Sequence, residues 1–184
     1  AITLASGLDA ITQVIEPYIS AKATPLTDAL CKPAIPLGLQ ALKTLMQHED
    51  QNARDTLAHV ALTSGIALAN SGLGAVHGLA GVIGGLTPAP HGAVCGALLA
   101  PVLETNAEML PDNPKIAEVQ TLIATTLGKL PDFTKAHGLP TLEQMGVHPD
   151  QHTKIAQAAA ASSSMKGNPM PLSEAQLIAC LQAA

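Results

Sequence analysis

Residues Gly72–Gly96, GLGAVHGLAGVIGGLTPAPHGAVCG, carry the clearest structural signature in the chain. They lie inside a longer segment, Thr56–Leu103, that contains no Asp, Glu, Lys or Arg. Small apolar residues on every side of a helix are typical of helices that are buried against other helices. Glycine and proline interrupt helices, so we expect breaks near Gly72–Gly74 and at Gly84–Pro90. The segment therefore predicts two or three tightly packed central helices.

The same segment is long enough for a membrane-spanning interpretation, which requires about 20 apolar residues. However, His59, His77 and His91 lie within it, and Pro88 and Pro90 interrupt it. Lys and Arg show no asymmetry between its flanks, as the orientation of a spanning helix would require. We therefore expect a helical core and no membrane partner.

The rest of the chain has helical signals and no defensible strand. Ala and Leu are abundant, whereas the residues that favour sheets are sparse. Four groups of residues match helix caps and stops: Thr24-Pro25, Asn113-Pro114 with Gly128, Thr141 with Gln144 and Gly146, and Ser173 with Gln176. The sequence therefore predicts an all-α helical bundle, organised as a single domain over residues 1–184.

Composition excludes two classes of protein. The 184 residues have a formal net charge of −5, with 47% apolar and 12% charged residues. The apolar content excludes an intrinsically disordered chain, and the absence of a basic run argues against a nucleic-acid partner. Because soluble domains usually carry about 25% charged residues, we expect another subunit or domain to cover part of the surface. A homo-oligomer is therefore expected.

The cysteines and the start of the chain give two further expectations. Cys31, Cys95 and Cys180 are odd in number and widely spaced, which predicts reduced thiols and a cytoplasmic location. The chain opens AITLASGLDA, without Met, within apparent helical structure. We therefore expect a fragment of a longer protein.

His77 and His91 lie in similar small-residue settings, GAVHG and PAPHG, 14 residues apart. We expect His77 to project from a buried helix and His91 from the start of the next one. Neutral imidazole is a common metal ligand, but buried histidines also bind backbone carbonyls. Asp9 and Gln13, four residues apart, share one face of a helix. Asp9 is a candidate buried carboxylate or an acid stabilised by the helix dipole.

Three groups of residues resemble one known family. The segment Gly7–Tyr18, GLDAITQVIEPY, is similar to the metal-binding helix of the iron-containing (group III) alcohol dehydrogenases. The central signature matches at Asn52-Ala53-Arg54, Gly65, Asn70, Gly74, His77, Gly84 and Pro90-His91-Gly92, and a C-terminal part at Asn168-Pro169 and Leu172-Ser173. The resemblance implies the helical C-terminal domain of the dehydroquinate synthase-like and iron-containing alcohol dehydrogenase type. It also implies a preceding Rossmann-like NAD(P)-binding domain, of which these residues show no G-x-G-x-x-G fingerprint.

The resemblance also implies a metal site. In the family an Asp, a His four residues later and two further histidines hold the metal, and Asp9, His77 and His91 match three of these positions. The remaining position is Gln13, whose side-chain oxygen is a weaker ligand than imidazole. The related glycerol dehydrogenases imply a three-ligand zinc version, so Fe2+ and Zn2+ both remain open. Gly81 replaces a further histidine that many members carry.

The expected activity follows from this resemblance. The metal would polarise the oxygen of a small alcohol, aldehyde or ketone during hydride transfer with NAD(P). The chain alone would be inactive without its nucleotide-binding domain. A maleylacetate-reductase-like branch, and a metal-free helical fragment or assembly module, are the alternatives. Glu16 and Cys95 are expected to be structural, as are the other histidines: His48, His59, His137, His148 and His152.

Overall fold

The computed structural model describes residues 1–184 as nine α-helices without a strand, which confirms the predicted all-α fold. Short 3-10 turns at Pro149–Gln151 and Ser164–Gly167 flank α8. The helices are α1 (Ile2–Ile19), α2 (Pro25–Gln47), α3 (Gln51–Ser71), α4 (Ala75–Leu86), α5 (His91–Met109), α6 (Pro114–Leu127), α7 (Leu130–Ala136), α8 (His152–Ala160) and α9 (Glu174–Ala183).

Three of the predicted helix boundaries are confirmed. The Thr24 hydroxyl accepts a hydrogen bond from the backbone N–H of Thr27, and Pro25 begins α2. Asn113 caps α6 in the same way, and Gly128, with φ of 79°, follows its last residue. Ser173 forms a capping box at the start of α9. At each start the side chain satisfies an N–H that has no partner inside the helix.

The predicted short helix between Thr141 and Gly146 is not formed. Thr141 and Gln144 do exchange the expected hydrogen bonds, at 2.9 and 3.3 Å, but no helix follows. Gly146 adopts a φ of 87°, and the next N–H, that of Val147, reaches back to the Leu142 carbonyl. The segment is a single turn because its start and stop signals lie within one helical turn of each other.

The central helices break where the sequence predicts. Helix α3 ends at Ser71, and α4 occupies Ala75–Leu86 before α5 begins at His91. No single helix is long and apolar enough to cross a membrane; only α3 and α4 together reach that length and composition, with a bend of 101° between them.

Helix α1 lies at the centre of the packing, against α2, α3 and α5. Its residues Leu8, Ile11 and Ile15 are fully buried and belong to a core of 41 buried apolar residues. Helix α5 in turn contacts α1, α4 and α9. Burial of each large aliphatic side chain stabilises the fold by about 1.5–3 kcal/mol, so α1 is held firmly against its neighbours.

Two glycines let α5 approach α1 closely. A Cβ atom at Gly92 would lie 2.5 Å from the Ala5 carbonyl oxygen, and one at Gly96 would lie 2.6 Å from a Leu8 methyl carbon. At Gly92 the obstacle is a backbone carbonyl, so only glycine permits the observed separation there, whereas a larger residue at Gly96 would require the Leu8 side chain to shift. The close approach places the first turn of α5, which carries His91, beside the middle of α1, which carries Asp9.

Candidate metal centre

Four potential metal ligands converge from three helices. Asp9 comes from α1, His77 from the first turn of α4, and His91 and Cys95 from the first two turns of α5. One ligand atom from each residue lies within 4.8 Å of the other three. The structure thus brings together Asp9, His77 and His91, the three residues that the family resemblance implies, and adds Cys95.

The distances between these atoms are short. Asp9 Oδ1 lies 3.2 Å from Nε2 of His77 and 3.8 Å from Nε2 of His91. Cys95 Sγ lies 3.7 Å from the same atom of His77 and 3.5 Å from that of His91. Metal–ligand bonds of about 2.0–2.3 Å in a tetrahedral zinc site separate neighbouring donors by about 3.3–3.7 Å. The donor set therefore fits a divalent cation in both chemistry and spacing.

The cluster is closed on one side and open on the other. His77 and Cys95 are buried, with 6% and 0% of their surface exposed. The Asp9 side chain is 24% exposed and that of His91 is 45% exposed. A cation held here would be shielded on the α4 side and accessible to a small molecule on the His91 side.

Glu16 fixes the orientation of the His77 ring. Its Oε2 lies 2.6 Å from Nδ1 of His77, while its Oε1 accepts a hydrogen bond of 2.7 Å from the backbone N–H of Val76. With Nδ1–H donated to Glu16, the other ring nitrogen is directed towards Asp9 and Cys95. A carboxylate in this position sets the imidazole tautomer and increases its basicity as a ligand. Glu16 was expected to be structural, and it lies seven residues from Asp9, on the same face of α1.

The pKa values reflect the close packing of these groups. Burial lowers the pKa of an imidazole, but for His77 the hydrogen bonds to two carboxylates and to Cys95 raise it to about 12. Burial raises the pKa of the Asp9 carboxyl, but the hydrogen bond to His77, the electrostatic attraction of His77 and His91 and the contact with Cys95 together leave that pKa below its ordinary value. Burial raises the pKa of the Cys95 thiol to about 11. The contacts of His77 with two carboxylates thus favour the protonated form of its ring.

Gln13 lies beside the cluster, with its side-chain oxygen directed towards Ser64 and its nitrogen towards Asp9. Its Oε1 accepts a hydrogen bond of 2.8 Å from Ser64 Oγ, and its Nε2 lies 3.4 Å from Asp9 Oδ1. The group nearest Asp9 is thus a donor, which cannot bind a cation. A role for Gln13 as a ligand stays a prediction. At Gly81 an added Cβ would meet no atom within 4 Å, so this position leaves open space.

The remaining histidines lie outside the cluster. Cys95 is buried, as expected, but its sulfur faces two imidazoles. The signal that could have identified it is its spacing of four residues from His91, which places both side chains on one face of α5. Cys31 and Cys180 are buried elsewhere, and all three thiols are free.

A cavity of about 420 Å³ opens beside Asp9. Its walls come from the first turns of α1, the start of α5 and the turn at 138–140, and they consist mainly of small and apolar residues. A space of this size and character suits a small, largely apolar molecule.

Comparison with known proteins agrees with the family that the sequence resembles, the iron-containing alcohol dehydrogenases. Residues 3–184 match the family described as Fe-containing alcohol dehydrogenase family, C-terminal. The chain belongs to this family and corresponds to its helical C-terminal domain.

Three proteins illustrate the relationship. The chain is 35% identical to 1,3-propanediol dehydrogenase of Klebsiella pneumoniae over 84% of its own length and 40% of the relative's. It superposes on the crystal structure of a 1,3-propanediol oxidoreductase with a TM-score of 0.84 and 29% identity, over 98% of this chain and 51% of the other. It also superposes on the crystal structure of maleylacetate reductase from Agrobacterium tumefaciens with a TM-score of 0.82 and 25% identity, over 99% of this chain and 52% of the other. The chain thus spans about half the length of these proteins.

Proposed function

We propose that this chain is the metal- and substrate-binding part of an NAD(P)-dependent alcohol dehydrogenase. The observation that carries the proposal is the convergence of Asp9, His77 and His91 between α1, α4 and α5, with one ligand atom of each within 4.8 Å of the others. A carboxylate with two imidazoles suits both Fe2+ and Zn2+.

Each residue has a distinct task in this proposal. Asp9, His77 and His91 hold the cation, with Gln13 beside them, and Glu16 keeps the His77 ring in its ligating orientation. The bound cation supplies Lewis-acid polarisation of the alcohol or carbonyl oxygen during hydride transfer. The exposed side of His91 and the adjoining cavity admit the substrate, a small alcohol, aldehyde or ketone. The apolar walls exclude water from the reacting group.

The nicotinamide cofactor is proposed to bind outside these 184 residues. They contain no G-x-G-x-x-G fingerprint, and the structure has no strand from which such a loop would start. We propose that a nucleotide-binding domain completes the enzyme and that the chain alone does not turn over. The helical part itself is proposed to be one folding unit, because one apolar core extends from α1 to α9.

We also propose that the chain self-associates and is cytoplasmic. Several large apolar side chains are exposed, among them Ile2, Leu26 and Leu62. Such residues, with the low charge content, favour coverage by a second subunit. Sedimentation of a clean monomer at high concentration would contradict self-association, and cell fractionation tests the location.

Metal content per chain is the experiment that tests the proposed function. The chain is purified anaerobically without a metal-affinity step and analysed for Fe and Zn. We expect about one metal per chain, lost in Asp9→Ala and retained in the control Asp55→Ala, whose carboxylate bonds only an exposed Gln51. Absence of metal after titration with both ions would favour the alternative of a metal-free helical module.

The maleylacetate-reductase-like alternative concerns the substrate. In the complete enzyme, turnover of maleylacetate in preference to simple alcohols would establish that branch. Preference for 1,3-propanediol or a similar alcohol would support the proposal made here.

A further inference from the structure

We propose that the Cys95 thiolate is the fourth protein ligand of the metal centre and that it makes the centre selective for zinc over iron. This inference rests on the proposed function, because it concerns the same cation.

The position of the sulfur supports this role. Cys95 Sγ lies 3.5 Å from Nε2 of His91 and 3.7 Å from Nε2 of His77. An N···S separation of about 3.6 Å is the value for two donors bound to one zinc ion in tetrahedral geometry. The same two nitrogens lie 3.8 and 3.2 Å from Asp9 Oδ1. The four atoms therefore lie around one position, with the sulfur on its buried side. The substrate oxygen would then enter as a fifth ligand from the exposed His91 side.

The backbone holds the sulfur in this place. Cys95 follows His91 by one helical turn, so the two side chains project from one face of α5. Gly92 and Gly96 bring that face against α1, since a Cβ at either position would collide with Ala5 or Leu8. The residue is fully buried, and core packing leaves the sulfur little freedom to turn away.

Gln13 is the competing candidate for the fourth ligand. Its side-chain oxygen accepts a hydrogen bond from Ser64, and its nitrogen is the atom directed towards Asp9. Recruiting the oxygen would require breaking the Ser64 contact and rotating the amide. Cys95 needs no such movement.

Ligation by Cys95 has a chemical consequence. The S–H bond breaks, its proton passes to solvent, and the thiolate forms a bond with the cation without any change of oxidation state. A thiolate in the donor set favours Zn2+, and Co2+ as its spectroscopic substitute, over Fe2+ and Mg2+. The centre is then expected to hold zinc more tightly than iron under anaerobic conditions.

Cobalt titration of the metal-free 184-residue chain tests the proposal. A Co2+ ion bound by thiolate gives a near-ultraviolet charge-transfer band that oxygen and nitrogen ligands do not produce. We expect this band in the double variant Cys31→Ser/Cys180→Ser, in which Cys95 is the sole thiol. We expect its loss in Cys95→Ser, with Zn2+ affinity reduced by more than about 100-fold, beyond the effect of removing an outer-shell partner.

The possible results separate the two proposals. If Co2+ binds in a manner that depends on Asp9 and His77 but the double variant shows no thiolate band, Cys95 is not a ligand and the proposed function stands. If neither Co2+, Zn2+ nor Fe2+ binds the chain, both proposals fail. Circular dichroism in EDTA establishes that each variant is folded, and the double variant decides the matter even if Cys95→Ser does not fold.

Discussion

Glu16 on α1 and His77 on α4 form a buried pair with 2.6 Å between Oε2 and Nδ1. In the sequence, 55 residues separate the end of α1 from the start of α4. The same carboxylate accepts the N–H of Val76, so it anchors both the imidazole and the first turn of α4. Glu16 therefore links the core helix α1 to the geometry of the metal centre without facing the cation itself.

Substitution Glu16→Gln should weaken Zn2+ binding by about 10–100-fold, because the amide retains a hydrogen-bond acceptor but loses the charge that increases imidazole basicity. Competition with a chromophoric chelator measures the dissociation constant. The exposed Glu49→Gln serves as the control, since its carboxylate pairs with Arg54 at the surface. Equal Zn2+ affinity in the Glu16 and Glu49 variants would show that Glu16 does not contribute to metal binding.

Substitution Gly92→Ala should destabilise the fold by about 1–3 kcal/mol, because the new methyl group collides with the Ala5 carbonyl oxygen and forces α5 away from α1. Metal affinity should decrease as well, since His91 and Asp9 separate. Urea unfolding of the metal-free chain measures the change. The matched control is Gly81→Ala in α4, where a Cβ meets nothing within 4 Å and should stabilise the helix by up to about 1 kcal/mol. Equal effects at the two positions would contradict the close approach.

His152 should make the chain less stable in mild acid. Burial lowers the pKa of this imidazole below its ordinary value of 6.5, and its Nδ1 has no hydrogen-bond partner. The folded state therefore binds the proton less readily than the unfolded state does. At pH values well above 6.5 the imidazole is neutral in both states, so this difference does not change the free energy of unfolding. As the pH falls below that value, unfolding becomes progressively more favourable until the folded-state pKa is reached.

The comparison of wild type with His152→Gln isolates this contribution. The difference in unfolding free energy, wild type minus variant, should be constant from about pH 8 to about pH 7 and decrease from there to about pH 5. A difference that stays constant over this range would show that His152 titrates equally in both states. His48→Gln, at the end of α2, provides the control for removing an exposed histidine.

Substitution Gln13→His should tighten Fe2+ and Zn2+ binding, because an imidazole at this position lies next to Asp9 on the same face of α1. The side chain it replaces already comes within 3.4 Å of Asp9 Oδ1. Ser64→Ala, which frees Gln13 from its partner without adding an imidazole, is the control. Unchanged affinity of Gln13→His would mean that position 13 does not reach the cation.

Local signals in the sequence predicted most of the fold. Proline after a polar cap placed the starts of α2 and α6, and the glycine- and proline-rich breaks placed the ends of α3 and α4. The Thr141 signal failed as a helix start because a cap describes only one end, and Gly146 follows before a second turn forms. Such a short segment depends on packing rather than on its own signals.

The site was less accessible to sequence reasoning. Asp9, His77 and His91 were selected together through family resemblance, since nothing in their spacing shows that α1 contacts the starts of α4 and α5. Glu16 and Cys95 share helix faces with Asp9 and His91, but periodicity alone does not distinguish a ligand face from a core face. Only the packing of α1 against α5 at Gly92 and Gly96 resolves that choice.

The uneven exposure of the two histidines has a kinetic consequence. His77 is enclosed, whereas His91 stands at the open edge of the cluster. A cation would therefore enter and leave past His91, whose bond would break first and re-form last, while the enclosed donors determine how strongly it is held. Exchange rate and equilibrium affinity would then be governed by different residues, so that one can change with little effect on the other.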